Sequence, residues 1–215
     1  MKQLLLTWLT LSLLLAGCSG GGGNGAFQPL AYDCSVFPPS QTSPYILPWI
    51  IGQSFVAYPH AARERSVQRY AIDFLMPIGT QIIAIRAGVV VRIQESFVDG
   101  DNVPGHENYV LIEHDDGTVA RYIHLTNLGA VPAVDDLVNQ GDIIGYSGHT
   151  GNSTQPHLHL DVTRSCCAVA PNYNELPFGE TIPLNFRNAS PNSTDQTADS
   201  LSCGLRYGIS YTASP

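Results

Sequence analysis

Residues 109–124 read Tyr109-Val-Leu-Ile-Glu-His114-Asp115-Asp-Gly117-Thr118-Val-Ala-Arg-Tyr-Ile-His124. Two arms of β-favouring residues, Tyr109–His114 and Thr118–His124, flank an Asp-Asp-Gly turn, which is a strong hairpin signal. Working outward, Gln81–Ile85 and Gly88–Gln94 are β-branched runs around a turn at Arg86-Ala87-Gly88. Gly141-Asp142 leads into Ile143-Ile144-Gly145-Tyr146, and His157–Arg164 alternates cleanly. No stretch carries the 3.6-residue period of a long amphipathic helix. The fold class expected is therefore mainly β with few short helices. Residues 26–50 are rich in Pro, Ser and aromatics without a period, and Asn188–Ser200 is polar enough to predict an exposed loop.

The strand period also sorts the reactive side chains. In His157-Leu158-His159-Leu160-Asp161-Val162, alternate residues share a face. His157, His159 and Asp161 therefore lie on one side, and the three apolar residues pack on the other. The same rule places Tyr122 and His124 together at the end of their hairpin arm, and Ala71 with Asp73 in Arg69-Tyr-Ala-Ile-Asp73. An Asp, a Tyr-x-His and a His-x-His on separate strands can converge on one groove. The run Gly145-Tyr-Ser-Gly148-His149-Thr-Gly151-Asn-Ser-Thr-Gln-Pro156, with three glycines and a proline, is a shaped loop that delivers His157 to a strand start.

Tyr70-Ala-Ile-Asp-Phe, Pro77-Ile-Gly-Thr, Ala87-Gly-Val-Val, Tyr122-Ile-His-Leu, Gly141-Asp-Ile-Ile-Gly and His157-Leu-His stand in one order along the chain. In that order the segment from Tyr70 to Arg164 resembles the lysostaphin/LytM-type zinc metallopeptidases. The resemblance implies an antiparallel β-sheet groove with Zn2+ on its floor and loops as walls. It also implies hydrolysis of the peptide cross-links of peptidoglycan. It assigns Asp73 and His159 as zinc ligands, and His124 and His157 as the catalytic pair beside the metal-bound water. Zinc in such a site keeps one coordination position open, polarises the scissile carbonyl and lowers the pKa of its water toward ~7. The two histidines would share proton transfer and support of the oxyanion.

One position departs from the family pattern. The first zinc ligand is often a His four residues before the Asp, and here that position is Arg69, which cannot ligate zinc. His60, in Tyr58-Pro-His-Ala-Ala, is the expected third ligand, with the residues between it and Tyr70 looped out, and His106 is held in reserve. His114 is a strand residue and His149 sits in the glycine-rich loop; neither displaces His60. The missing first His keeps an alternative in view, a zinc-free domain that activates a cell-wall amidase. Retention of Asp73, His124, His157 and His159 argues for the enzyme. A lipoyl or biotinyl carrier, suggested by Gly141-Asp-Ile-Ile-Gly, needs an acceptor lysine, and the only lysine is Lys2.

The first residues predict export. Met1-Lys2 precedes an apolar run, Leu4 to Leu15, that is too short to span a bilayer, where ~20 residues are needed, but suits a removable signal. Leu15-Ala16-Gly17-Cys18 resembles a bacterial lipobox, which implies cleavage before Cys18, lipid attachment there and anchoring in a membrane. In Gram-negative bacteria, Ser19 after the cysteine implies the outer membrane, with the body facing the periplasm. The expected organisation is a signal over 1–17, a Gly/Pro/Ser-rich tether over 18–45, the peptidase domain over 46–187 and a C-terminal extension over 188–215. After loss of Lys2, nine arginines face eighteen acids, so no clustered basic face for nucleic acid is expected. Cys34, Cys166, Cys167 and Cys203 form an even set in an exported chain and predict two disulfides. Adjacent cysteines rarely bond each other, so Cys166 and Cys167 are expected to reach Cys34 and Cys203, in either order.

Overall fold

Asp115-Asp116-Gly117 closes a hairpin because Gly117 takes a φ of 75° that a side chain would oppose. The Asp116 carboxylate accepts from both the backbone N–H (3.0 Å) and the hydroxyl (2.6 Å) of Thr118. In the computed structural model, which describes residues 34–60, 68–164, 180–192 and 204–215, this hairpin lies inside a larger antiparallel sheet. Its strands are β1 (Ser54–Pro59), β2 (Ile72–Leu75), β4 (Gly88–Gln94), β5 (Tyr109–Glu113), β6 (Thr118–Ile123), β8 (Leu137–Val138), β10 (His157–Arg164), β11 (Ala189–Pro191) and β12 (Ile209–Ala213). They run in the order β11-β12-β1-β2-β10-β6-β5-β4-β8. A second sheet, ordered β3-β9-β7, is built from β3 (Gln81–Ile83), β7 (Leu125–Ala130) and β9 (Ile143–Ser147). Helix among the described residues is confined to two three-residue 3-10 turns, Cys34–Val36 and Ser40–Thr42. The protein is mainly β and antiparallel.

The alternation of β10 works as its sequence implies. Leu158, Leu160 and Val162 are fully buried in the main core, with Phe74 of β2, Tyr122 of β6, Val110 and Ile112 of β5, and Ile82, Leu125 and Ile144 of the small sheet. Each such side chain contributes about 1.5–3 kcal/mol by leaving water. Tyr45, Leu47 and Trp49 join this core from the segment before β1. Trp49 packs edge-on against Phe74 and Phe55, with ring centroids 5.0 and 5.2 Å away. On the other face a smaller cluster gathers Tyr109, Leu111, Val119 and Ile123.

One facing expectation is corrected. Tyr122 and His124 do not share a face. Tyr122 stands opposite Leu160 on the core side, where its hydroxyl accepts the Ile85 N–H at 2.8 Å. His124 follows the end of β6 with a φ of 66°, and that left-handed residue breaks the period of two. Elsewhere the expected Gln81–Ile85 strand stops at Ile83, with a register shift after Ile82. The polar stretch starting at Asn188 is not all loop, since Ala189–Pro191 pairs with β12. Residues 209–213 form that strand, which lies directly against β1. Cys34 opens the first 3-10 turn; Cys18, Cys166, Cys167 and Cys203 lie outside the described residues, as does the lipobox.

Candidate metal centre

Neighbouring strands bring the polar face together by register. Asp73 of β2 stands opposite His159 of β10 on one side and Tyr58 of β1 on the other. His60 follows the end of β1, with its backbone N–H on the Ala71 carbonyl at 3.5 Å. The antiparallel pairing of β1 and β2 thus folds thirteen residues of separation back onto Asp73. His159 Nδ1 lies 3.0 Å from Asp73 Oδ1, and His60 Nδ1 lies 3.3 Å from Asp73 Oδ2. The donor atoms of His60, Asp73 and His159 all fall within 4.8 Å of one another. The His60 and His159 rings meet edge to face, centroids 4.6 Å apart.

His157 and His124 complete the cluster. Their ring centroids are 4.5 Å apart, and His157 Nε2 is 3.9 Å from Asp73 Oδ1. Both are oriented by carbonyls of one loop. His157 Nδ1 donates to the Gln155 carbonyl at 2.8 Å, and His124 Nδ1 to the Thr150 carbonyl at 2.7 Å. A carbonyl only accepts, so Nδ1 carries the hydrogen, and in the neutral ring Nε2 keeps its lone pair. The left-handed backbone of His124 is what turns its ring to this side of the sheet.

Charge in the cluster follows its neighbours. Burial opposes ionisation of Asp73, but hydrogen bonds from His159 and His60 outweigh it and hold the carboxyl well below its usual range. Burial pushes His124 down to about 3, helped by His157 and His159, so its ring is neutral at pH 7. His157 is also lowered by burial, against the pull of Asp73. For His159 burial favours the neutral form, yet hydrogen bonds to Asp161 and Asp73 raise it to about 9.

The donors fit zinc. Two imidazoles and a carboxylate are a common zinc set, and ligands ~2.0–2.2 Å from a tetrahedral ion stand ~3.3–3.5 Å apart. The 3.0 and 3.3 Å separations around Asp73 lie close to that span. His159 Nε2 is in turn 3.0 Å from Asp161 Oδ2, the outer carboxylate that metal-bound histidines commonly hold.

The remaining histidines stand apart from this set of donors. His106 is paired with Asp101 at 2.9 Å and stacks on Phe97, centroids 4.2 Å apart. His149 Nδ1 is 2.9 Å from Ser153 Oγ, and His114 Nδ1 donates to the Ala87 carbonyl at 2.9 Å. Arg69 lies over the Tyr70 ring, 5.5 Å from its centroid.

The sequence reading missed how the loop over 148–156 is held. Asp99 accepts from the His149 N–H (2.6 Å), Asp101 from the Gly151 N–H (3.0 Å) and Glu107 from the Asn152 N–H (3.2 Å). Thr150 Oγ1 takes the Asn108 N–H and donates to the Leu125 carbonyl. Gly148 presses this loop onto the start of β7; an added Cβ would stand 2.5 Å from the Leu125 carbonyl carbon. The Thr150 carbonyl that orients His124 thus lies in a stretch fixed from the neighbouring loop over 95–108, whereas the Gln155 carbonyl that orients His157 accepts from Ser153 Oγ at 2.9 Å within its own loop. Nothing in composition marks those carboxylates, because their partners are backbone amides.

Residues 67–171, a span that begins downstream of His60, match the profile of Peptidase family M23. An uncharacterized metalloprotease of Buchnera aphidicola subsp. Baizongia pistaciae is 41 % identical over 99 residues, which is 46 % of this chain and 24 % of that protein. The peptidoglycan DD-endopeptidase ShyA of Vibrio cholerae is 32 % identical over 124 residues, 58 % of this chain and 27 % of its own length. The chain thus spans about a quarter of these curated relatives. Among solved structures, the catalytic domain of the antimicrobial peptidase lysostaphin from Staphylococcus simulans shares 32 % identity, with a TM-score of 0.40 over 56 % of this chain and 84 % of that one. The matched span holds Asp73, His157 and His159 on the strands that bring them together and His124 just past the end of β6, and over residues 67–171, just under half of the chain, the sequence is similar to Peptidase family M23.

Proposed function

We propose that the protein is a zinc metalloendopeptidase that hydrolyses peptide cross-links of peptidoglycan. The observation that carries this reading is the convergence of His60, Asp73 and His159 beside two histidines whose Nε2 atoms are free of the carbonyls that orient them. Bound zinc would be held by those three residues and would supply a Lewis acid and a water of lowered pKa. The chain's own residues do the rest. His124, neutral at pH 7, offers a base at Nε2, and His157 offers a second nitrogen on the same side. The two rings divide proton acceptance from support of the oxyanion or the leaving amine. Burial of both keeps bulk water from competing for those protons.

The substrate proposed is the stem peptide of peptidoglycan, cut at D-alanyl–diaminopimelate cross-links, in line with the similarity to a DD-endopeptidase. The proposed setting is the periplasmic face of the outer membrane, with an acyl anchor on Cys18, a tether over 18–45 and two disulfides among Cys34, Cys166, Cys167 and Cys203. The placement of His60 against Asp73 supports the enzyme over a zinc-free amidase activator, since it supplies the donor that Arg69 cannot.

Zinc content and release of cross-linked muropeptides, measured on the wild type and on His60→Ala, test the reading. Near-stoichiometric zinc and hydrolysis in the wild type, both reduced in the variant, are expected. A wild type that takes up no zinc after reconstitution overturns the peptidase and leaves the activator.

A further inference from the structure

Behind His159, on the side of the sheet facing away from the main core, lies a pair of opposite charges taken fully out of water. Arg121 of β6 stands opposite Asp161 of β10 in register, and both are 0 % exposed. The guanidinium grips the carboxylate with two bonds, Nε to Oδ1 at 2.6 Å and Nη2 to Oδ2 at 2.5 Å. Oδ2 is the same atom that lies 3.0 Å from His159 Nε2.

As a device for joining β6 to β10 this pair is a poor choice. Burying two charges carries a desolvation cost that their attraction barely offsets, and apolar replacements of similar volume are often as stable or more so. The surroundings would accept them: Leu111, Val119, Ile123 and Tyr109 already form an apolar cluster on this face. What an apolar pair could not do is hold His159.

An ionised carboxylate only accepts, so Asp161 keeps a hydrogen on His159 Nε2, and Nδ1, which hydrogen-bonds to Asp73 at 3.0 Å, is the nitrogen that would give up its hydrogen and offer its lone pair to a bound metal. The fork of Arg121 leaves Asp161 one orientation in which to make that contact. His124 and His157 are held differently, by neutral backbone carbonyls. Of these three histidines, the carboxylate backs the one placed to ligate a metal, where it strengthens the donor.

We propose that the buried Arg121–Asp161 pair is a positioning device that presents His159 Nδ1 to the metal and sets how tightly the ion is held. This rests on the zinc reading above and deepens it. Neither residue touches substrate.

The test uses the purified full-length protein, with zinc affinity read by competition against a chelator and with melting of the metal-free proteins alongside. Asp161→Asn is expected to weaken zinc about 10–100-fold, the range typical of outer partners of metal ligands. Arg121→Lys keeps the charge but not the two-point grip, and several-fold weaker binding is expected. Arg121→Met is expected to weaken zinc more than Arg121→Lys does. A pair that only stiffens the sheet gives the opposite pattern, with lowered melting but wild-type zinc affinity in every variant that folds, and that result overturns the proposal. If Asp161→Asn does not fold, the two Arg121 variants carry the same decision. A wild type without zinc overturns the peptidase reading and this one together, whereas a zinc-loaded wild type with unaffected variants overturns this one alone.

Discussion

His124 holds a φ of 66°, a conformation that costs an L residue about 1–2 kcal/mol and costs glycine almost nothing. In return its ring leaves the core side of β6 and reaches His157. Removing the ring therefore separates chemistry from backbone strain. His124→Ala and His124→Gly are both expected to lose about 10²–10⁴-fold in hydrolysis, the usual worth of a positioned acid–base group. The glycine variant should be more stable than the alanine variant by about 1 kcal/mol, since it alone relieves the left-handed strain. Urea unfolding of the two proteins decides this, and an alanine variant as stable as the glycine one would show that the backbone there is unstrained.

Within single elements, local chemistry was the readable part. The β5–β6 hairpin, β4 and β10 stand where alternation and turn residues place them, because each pattern is satisfied within its own dozen residues. The face of Tyr122 was misread because one φ value, invisible in composition, breaks the period. His114 lies in the same hairpin and carries a pH dependence. Burial lowers its pKa below 6.5, and its Nδ1 donates to the Ala87 carbonyl. The sign follows from proton counting. Below pH 6.5 the unfolded ring binds a proton that the folded ring resists, so stability falls as the pH drops from 6.5 toward the folded pKa. His159 works in the opposite sense at higher pH, its folded value being raised to about 9, so the comparison must isolate one residue. The urea midpoint of the wild type should fall more than that of His114→Gln between pH 7 and pH 5. Parallel slopes would remove His114 as a source of the dependence.

Across the whole molecule, the parts that stayed unread are those whose partners are distant. β12 follows a polar stretch and has no motif, yet it pairs with β1, which leads to His60. Legibility of the site itself was uneven for the same reason. Asp73 and His159 are marked by short motifs, but His60 gains its place only from the β1–β2 pairing, and Arg121 shows its role only opposite Asp161. Tyr211 of β12 is fully buried, with its hydroxyl accepting the Arg206 N–H at 2.7 Å. Truncating one such aromatic costs about 3–5 kcal/mol, against about 5–15 kcal/mol for a typical domain. A chain ending at residue 204 should therefore melt well below the full-length protein and bind zinc more weakly, because β1 would be left with β2 as its one neighbour. Calorimetry on the two lengths is the check, and a truncated protein melting within a few degrees of the full one would make β12 dispensable.

The adjacency of β1 and β12 also imposes an order in time. During synthesis β1 emerges more than a hundred residues before the strand that flanks it, and pairings so far apart in sequence are slow to close. Until Ile209–Ala213 is free of the ribosome, one side of β1 has no partner and the segment bearing His60 is secured from the β2 side only. Assembly of the metal-binding face thus waits on a strand made long after β1, and a chain halted before β12 would carry the motifs of the site without the strand that flanks β1.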